Sequence, residues 1–205
     1  MVQQCAAHPG PANDHSQRVA EHPGPDRQCA KARIKGIEFE GGLAVGGFEL
    51  TAYFAYNDTY YTQFCDTSSK DPRTGGACLD RSKDLFPYAP KYNGGATARY
   101  TVPVDGRGTE ISGMVNFSAT AKFNTTAAQQ PLFAILPAYA LVNARLEATN
   151  INGSGLSAAV FVNNLFRRHY YTGASPVAGT GTAIQSIGAP RMWGAELTYR
   201  FGGER

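Results

Sequence analysis

From Arg33 to Phe201 apolar and polar residues alternate with a period of two, over segments long enough that the chain has to build antiparallel sheet. Ile37, Phe39, Gly41 and Leu43 alternate with Glu38, Glu40 and Gly42, and Phe48, Leu50, Ala52, Phe54 and Tyr56 with Glu49, Thr51, Tyr53, Ala55 and Asn57. Ala96, Ala98, Tyr100 and Val102 repeat the pattern, followed by Ile111, Val115, Phe117 and Ala119. Ala140, Val142, Ala144, Leu146 and Ala148 oppose Tyr139, Asn143, Arg145, Glu147 and Thr149. Residues Leu156 to Phe166 are apolar on both faces, so they read as a strand of open orientation. The last segment sets Trp193, Ala195, Leu197, Tyr199 and Phe201 against Met192, Gly194, Glu196, Thr198 and Arg200. The expectation is an all-β chain of about seven strands, each with one greasy and one polar face, and no helix.

The connections alternate between short and long. Gly46-Gly47, Asp105-Gly106 and Asn152-Gly153 are dipeptides that supply positive φ for tight hairpin turns. Between them lie long connections rich in Gly, Pro, Ser and Thr, roughly Thr62 to Pro90, Asn124 to Pro137 and Gly173 to Ala189. In an up-and-down sheet this puts every tight turn at one end and every long loop at the other.

Alternation alone leaves open what the greasy face meets. One reading is a small soluble barrel, a ligand-binding module with its apolar face inward. The other is a barrel wall in a membrane, and three features favour it. The strands run to about twice the usual soluble length, and a tilted strand of about 12 residues rises roughly the thickness of a bilayer core. Tyr60, Tyr61, Phe64, Tyr88, Tyr92, Phe123, Tyr170, Tyr171 and Trp193 fall beside the long loops, with Tyr199 and Phe201 at the opposite end. Rings at both borders of an apolar band suit the two interfaces of an outer-membrane barrel, and loops that are long at one end only suit it too. A helical span is excluded, because the longest apolar run, Phe133 to Val142, is too short and contains Pro137. With 42% hydrophobic and 17% charged residues the chain is not disordered over most of its length.

Residues 1–31 differ from the rest. HPGP occurs at His8 to Pro11 and at His22 to Pro25, and prolines at this density interrupt strand and helix alike. We expect a leader that is disordered or foreign to the fold, with the barrel strands in residues 32–205. Cys5, His8, His22 and Cys29 have the donor types of a tetrahedral metal site, but no hydrophobic packing would hold the loop between them, so no metal is expected. Cys65 and Cys78 sit in a polar, Gly-containing segment that reads as a loop closed by a disulfide in an oxidising compartment, the alternative being two free thiols. No export signal begins at Met1. Seven strands with a Pro-rich leader do not close a barrel, since single-chain barrels have at least about eight, and an open edge in lipid is costly. The chain is therefore expected to be the C-terminal part of a larger barrel, and the leader to mark a misassigned start or a disrupted frame.

The segments ARIKGIEFEG, YAPKYNGGATARY, LVNARLEATN, VFVNNLFRRHYY and GAPRMWGAELTYRF, in this order, resemble the C-terminal third of TonB-dependent outer-membrane receptors. Asn163, Asn164, Leu165 and Phe166 match the family's penultimate-strand motif, and Pro190, Arg191, Tyr199, Arg200 and Phe201 its closing strand. The resemblance implies an antiparallel, up-and-down transmembrane β-barrel of about 22 strands, of which these are the last. It implies an N-terminal plug, energy from an inner-membrane TonB complex acting through that plug, and import of a scarce solute such as a ferric siderophore, cobalamin or an oligosaccharide. Plug and TonB box are not in this chain, so it is expected not to transport by itself. The expected location is the outer membrane, with lipid as a partner. Trp193, Leu197, Tyr199 and Phe201 form the terminal strand that the barrel assembly machinery would read, although residues 202–205 follow the aromatic.

Parity nominates Tyr53, Asn57, Tyr61, Tyr139, Asn143 and Arg145 as lumen-facing contacts for the solute, with Lys70, Arg73, Arg81 and Lys83 on a loop that could attract an anionic complex. A solvated loop and an ordinary polar lumen are the plainer reading of each. A nucleic-acid partner has no support, since the net charge is only +3 and the basic residues are dispersed. No phosphate loop, G-x-S-x-G or H-E-x-x-H motif is present, so neither an enzyme nor a cofactor is expected. His169, between Arg168 and Tyr170, reads as an interfacial polar residue, and the Asn-x-Ser/Thr triplets at Asn57, Asn116, Asn124 and Asn152 arise by composition.

Overall fold

The computed structural model describes residues 29–66, 75, 78–126, 134–177, 180 and 182–201. The leader up to residue 28, and with it Cys5, His8 and His22, lies outside the described residues, as do Lys70 and Arg73. The long strands are β1 (Cys29–Val45), β2 (Phe48–Asp66), β4 (Tyr92–Pro103), β5 (Glu110–Thr120), β8 (Tyr139–Thr149), β9 (Leu156–Asn163) and β12 (Met192–Tyr199). Five shorter ones occupy the long connections: β3 (Leu79–Asp80), β6 (Phe123–Asn124), β7 (Ile135–Leu136), β10 (Tyr171–Val177) and β11 (Thr182–Ile187). The long strands pair in the order β1-β2-β4-β5-β8-β9-β12, each with its neighbour along the chain once the short strands are set aside. The fold is thus an all-β, up-and-down antiparallel sheet. Among the described residues there is no α-helix, and no pairing joins β1 to β12. β1 starts at Cys29, ahead of the boundary expected at residue 32.

The chain forms two compact units, one of Met1–Lys35 with Asp58–Phe86, the other of Gly36–Asn57 with Pro87–Arg205. In the second, the register carries the alternation across six strands. Leu50, Ala98, Val115, Ala144, Val162 and Trp193 stand in one row, and Phe48, Tyr100, Gly113, Leu146, Val160 and Ala195 in another. Directly opposed residues project to the same side of an antiparallel sheet, so these rows make one continuous apolar face. Among the described residues nothing covers it: Leu146 and Val160 are each 54% exposed, Leu197 73% and Trp193 82%. The buried hydrophobic residues among those described are only Phe64, Ala134, Leu136, Ala159 and Ala174. The described residues form no inward-facing apolar core such as a soluble barrel needs.

The register also settles the orientation of β9. Ala158, Val160 and Val162 join the apolar face, and Phe161 points to the polar side opposite Arg145 and Gly194. There the Phe161 ring lies over Gly194, where a Cβ would come within 2.7 Å of it. A strand that looks apolar on both faces therefore has one outward face and one aromatic filling the space above a glycine.

The tight-turn end differs in one particular from the expectation. Gly46 (φ 58°), Asn152 (φ 53°) and Gly153 (φ 71°) adopt positive φ, as their dipeptides suggest, but in the β4–β5 turn the left-handed residue is Gly108 (φ 87°), not Gly106. Asp105 is the reason. Its Oδ1 accepts hydrogen bonds from the backbone N–H groups of Arg107 and Thr109, both at 2.9 Å, and its Oδ2 accepts from the Thr109 hydroxyl at 2.7 Å. Those three bonds stretch the turn over six residues, Val104 to Thr109, and hold the Asp105 carboxyl below the ordinary carboxylate value. Asn150 then ties this turn to the next by donating to the carbonyl of Gly108 at 3.2 Å and accepting from the Gly155 N–H at 3.2 Å.

The long connections hold most of what is buried. In the first unit a disulfide joins Cys65 to Cys78 with the Cα atoms 5.5 Å apart, beside the short pairing of Asp66 with Leu79. In the second unit, Thr125 donates to the carbonyl of Ala174 at 2.7 Å, linking the β5–β8 connection to β10. The connection after β9, expected as an irregular loop from Gly173, is a hairpin of β10 with β11 in register from Ala174 opposite Gln185 to Val177 opposite Thr182.

Candidate functional site

The polar face of the second unit carries the groups that could meet a solute. Opposite the apolar rows stand Thr51, Thr97, Asn116 and Asn143, and then Thr101, Ser112, Glu147, Ala159 and Glu196. Asn116 Nδ2 donates to the Thr97 hydroxyl at 2.9 Å, and Asn143 Nδ2 donates to Asn116 Oδ1 at 3.3 Å. One register further along, the Arg145 guanidinium bonds Glu196 at 3.0 Å and Glu147 at 3.3 Å. A cation flanked by two carboxylates, next to a ladder of amides and hydroxyls, makes a surface that hydrogen-bonds in both senses with little net charge.

The residues nominated by parity divide between the units. Tyr53, Tyr139, Asn143 and Arg145 lie in the second, on the polar side, where Asn143 is engaged twice: its Oδ1 also accepts from the Asn164 N–H at 2.9 Å. Tyr139 stacks against Tyr170 with ring centres 4.7 Å apart, while Tyr53 is half exposed beside Gly95. Asn57 is half-buried, and its N–H donates to the carbonyl of Lys91 at 2.9 Å. Tyr61 and Arg81 meet in the first unit. Tyr61 packs between Phe64 at 4.7 Å and Phe86 at 4.8 Å, and Arg81 is buried with Asp66 at 3.1 Å, Asp84 at 2.7 Å and the Phe64 ring at 5.7 Å. Arg81 is thus neutralised within its own loop, while Lys83 is exposed. Among the described residues no group of side chains has the composition of a metal site.

Asn164 has a role that its place in a motif does not spell out. It is 4% exposed and left-handed (φ 53°), and it ends β9. Its Nδ2 donates to the carbonyls of Arg168 at 2.8 Å and Ala189 at 3.1 Å, and its Oδ1 accepts from the Arg168 N–H at 2.7 Å. One side chain closes the turn after β9 and fixes the chain just ahead of β12. The signal available in the sequence is Asn itself, which among non-glycine residues best tolerates the left-handed region and bonds its own backbone there.

A sequence profile of the family described as TonB dependent receptor-like, β-barrel, matches residues 10–165. The chain belongs to this family. The structure of the siderophore receptor PiuA from Acinetobacter baumannii superposes on this TonB-dependent receptor barrel portion with a TM-score of 0.60 at 19% sequence identity. The match covers 82% of this chain and 22% of that one, so the chain spans about a fifth of the length of that receptor. Comparison with curated proteins gives no match. Within the family's barrel fold, Trp193, Leu197 and Tyr199 lie on β12, where Tyr199 pairs with Leu156 and stacks edge-on against Phe201 at 4.6 Å.

Proposed function

We propose that this chain is a stretch of the wall of a TonB-dependent outer-membrane receptor, whose complete form imports a scarce solute: a ferric siderophore, cobalamin or an oligosaccharide. The single observation that carries this reading is the exposed apolar face, continuous over six strands and backed by a polar one, in a member of this barrel family. In lipid such a face is at home; in water it would be a large sticky surface. The family is one of transport receptors rather than enzymes, in keeping with a polar face built from amides, hydroxyls and a compensated ion cluster.

The two edges β1 and β12 shape the rest of the proposal. An unpaired backbone group in hydrocarbon costs several kcal/mol, so both edges need neighbouring strands within a complete barrel. Outer-membrane lipid and the barrel assembly machinery, engaging the terminal strand Trp193 to Phe201, are the partners this reading brings. The TonB complex would act on the N-terminal plug of the whole receptor. The polar face, with Tyr53, Tyr139 and Arg145, would line the solute's path.

Uptake in cells tests the proposal. The complete receptor containing this chain, expressed in a strain stripped of its own receptors, is expected to confer accumulation of one of three labelled probes (a ferric siderophore, cobalamin or a maltodextrin) that disappears when TonB is deleted. Uptake that persists without TonB, or failure with all three classes, would count against it.

A further inference from the structure

The polar face of the second unit is uncharged over the part nearest the long loops. Beyond the row of Thr51, Thr97, Asn116 and Asn143, two more rows follow, one from Tyr53 on β2 to Leu141 on β8 and the next from Ala55 to Tyr139. Across β2, β4, β5 and β8 no side chain in these three rows is acidic or basic. Asn93, Ser118 and Thr120 stand in the two outer rows and make no side-chain hydrogen bond among the described residues. Their donors and acceptors are open to a ligand.

Two tyrosines flank this band. Tyr53 lies over Gly95, where a Cβ would come within 2.8 Å of the ring, and it is 49% exposed, so the outer face of the ring is open. Tyr139, three strands away and so about 14 Å across the sheet, is held by Tyr170 with ring centres 4.7 Å apart. Charge gathers instead toward the tight turns, where Arg99 and Arg145 stand against Glu49, Glu110, Glu147 and Glu196. Acid outnumbers base there, so this face repels an anionic complex. A ring face carries the negative side of the aromatic quadrupole and attracts the weakly positive C–H groups of a sugar ring. Amides and hydroxyls between two such rings match sugar hydroxyls as donors and as acceptors.

We propose that the solute met by this face is a neutral oligosaccharide, with one sugar ring stacked on Tyr53, another on Tyr139, and the hydroxyls between them bonded to Asn93, Ser118 and Thr120. The inference rests on the receptor reading and narrows its three solute classes to one. A ferric catecholate, which carries net negative charge, meets no cation in the band. Two stacking platforms at the ends of an extended band suit a chain of rings better than the single bulky macrocycle of cobalamin.

The test measures binding to the complete receptor in nanodiscs by titration calorimetry. Maltoheptaose, xylohexaose and chitohexaose are the neutral probes, set against an anionic ferric catecholate and cyanocobalamin. At least one saccharide is expected to bind, and the other two probes are not. Tyr53→Ala is expected to weaken saccharide binding about tenfold, and Tyr53→Phe, which keeps the ring, to leave it within about twofold. Asn93→Ala, which removes an amide with no side-chain hydrogen bond among the described residues and so spares the fold, is expected to weaken it about fivefold. Binding of the catecholate or cyanocobalamin but of no saccharide, binding of none of the five probes, or saccharide binding untouched by both Tyr53→Ala and Asn93→Ala overturns the assignment. Saccharide binding without TonB-dependent uptake in cells contradicts the transport reading and supports the ligand class.

Discussion

Asp105 shows how much one side chain decides at the turn end of the sheet. Its carboxylate accepts three hydrogen bonds, the strongest influence being the Thr109 hydroxyl and then the Thr109 N–H, and these favour the charged form. The folded carboxyl therefore titrates below its unfolded value. The stabilisation is fully present above the unfolded pKa and is lost as pH falls through the folded one. A carboxyl-carbon NMR titration is expected to place the Asp105 midpoint below that of an ordinary aspartate, and Thr109→Val to move it back up. The buried Asn164 makes a second prediction. Asn164→Ala leaves the Ala189 carbonyl and both polar groups of Arg168 without their partner, and is expected to destabilise the reconstituted barrel by about 1–3 kcal/mol in denaturant unfolding. Residues of this kind were only half legible in the sequence. Asn152-Gly153 announces its own backbone, whereas the shift of positive φ from Gly106 to Gly108 follows from hydrogen bonds that Asp105 makes two and four residues ahead.

Among the elements, the long strands could be read because their period is imposed by two different surroundings, one on each face. Five of them have the greasy rows that the alternation names, and β9 gains its orientation only from pairing, since Phe161 disguises the polar side by covering Gly194. The hairpin β10–β11 escaped notice for the opposite reason. Gly173, Ser175, Pro176, Gly188 and their neighbours have loop composition, and the hairpin is held from outside, by the Thr125 hydroxyl on the Ala174 carbonyl, rather than by its own alternation. The candidate site fared similarly: parity placed Tyr53, Asn143 and Arg145 on the polar face, but no pattern could reveal that Arg81 is enclosed by Asp66 and Asp84. Opposite faces of the sheet should answer differently to the same substitution. Leu146→Arg, on the apolar face, is expected to cost about 2–4 kcal/mol in the bilayer. Ser112→Arg, which stands opposite Glu147 on the polar face, is expected to change stability little; unfolding of both variants in the same lipid is the comparison.

On the scale of the whole molecule, the physics turns on where a sheet with almost no interior can be stable. Six adjacent strands place a continuous set of aliphatic and aromatic side chains on one exposed face, while the hydrogen-bonded amides, the Arg145 cluster and a few rings such as Phe161 occupy the other. Hydrocarbon on the first side and water on the second satisfy both at once, provided that β1 and β12 find partners. Spin labels placed singly from 140 to 148 along β8 in the reconstituted receptor test that division most directly. Collision with dissolved oxygen, which concentrates in lipid, is expected to peak at 142, 144, 146 and 148, and collision with an aqueous nickel chelate at 143, 145 and 147. Labels at the even positions that are shielded from oxygen, or reached by the chelate, would contradict the account.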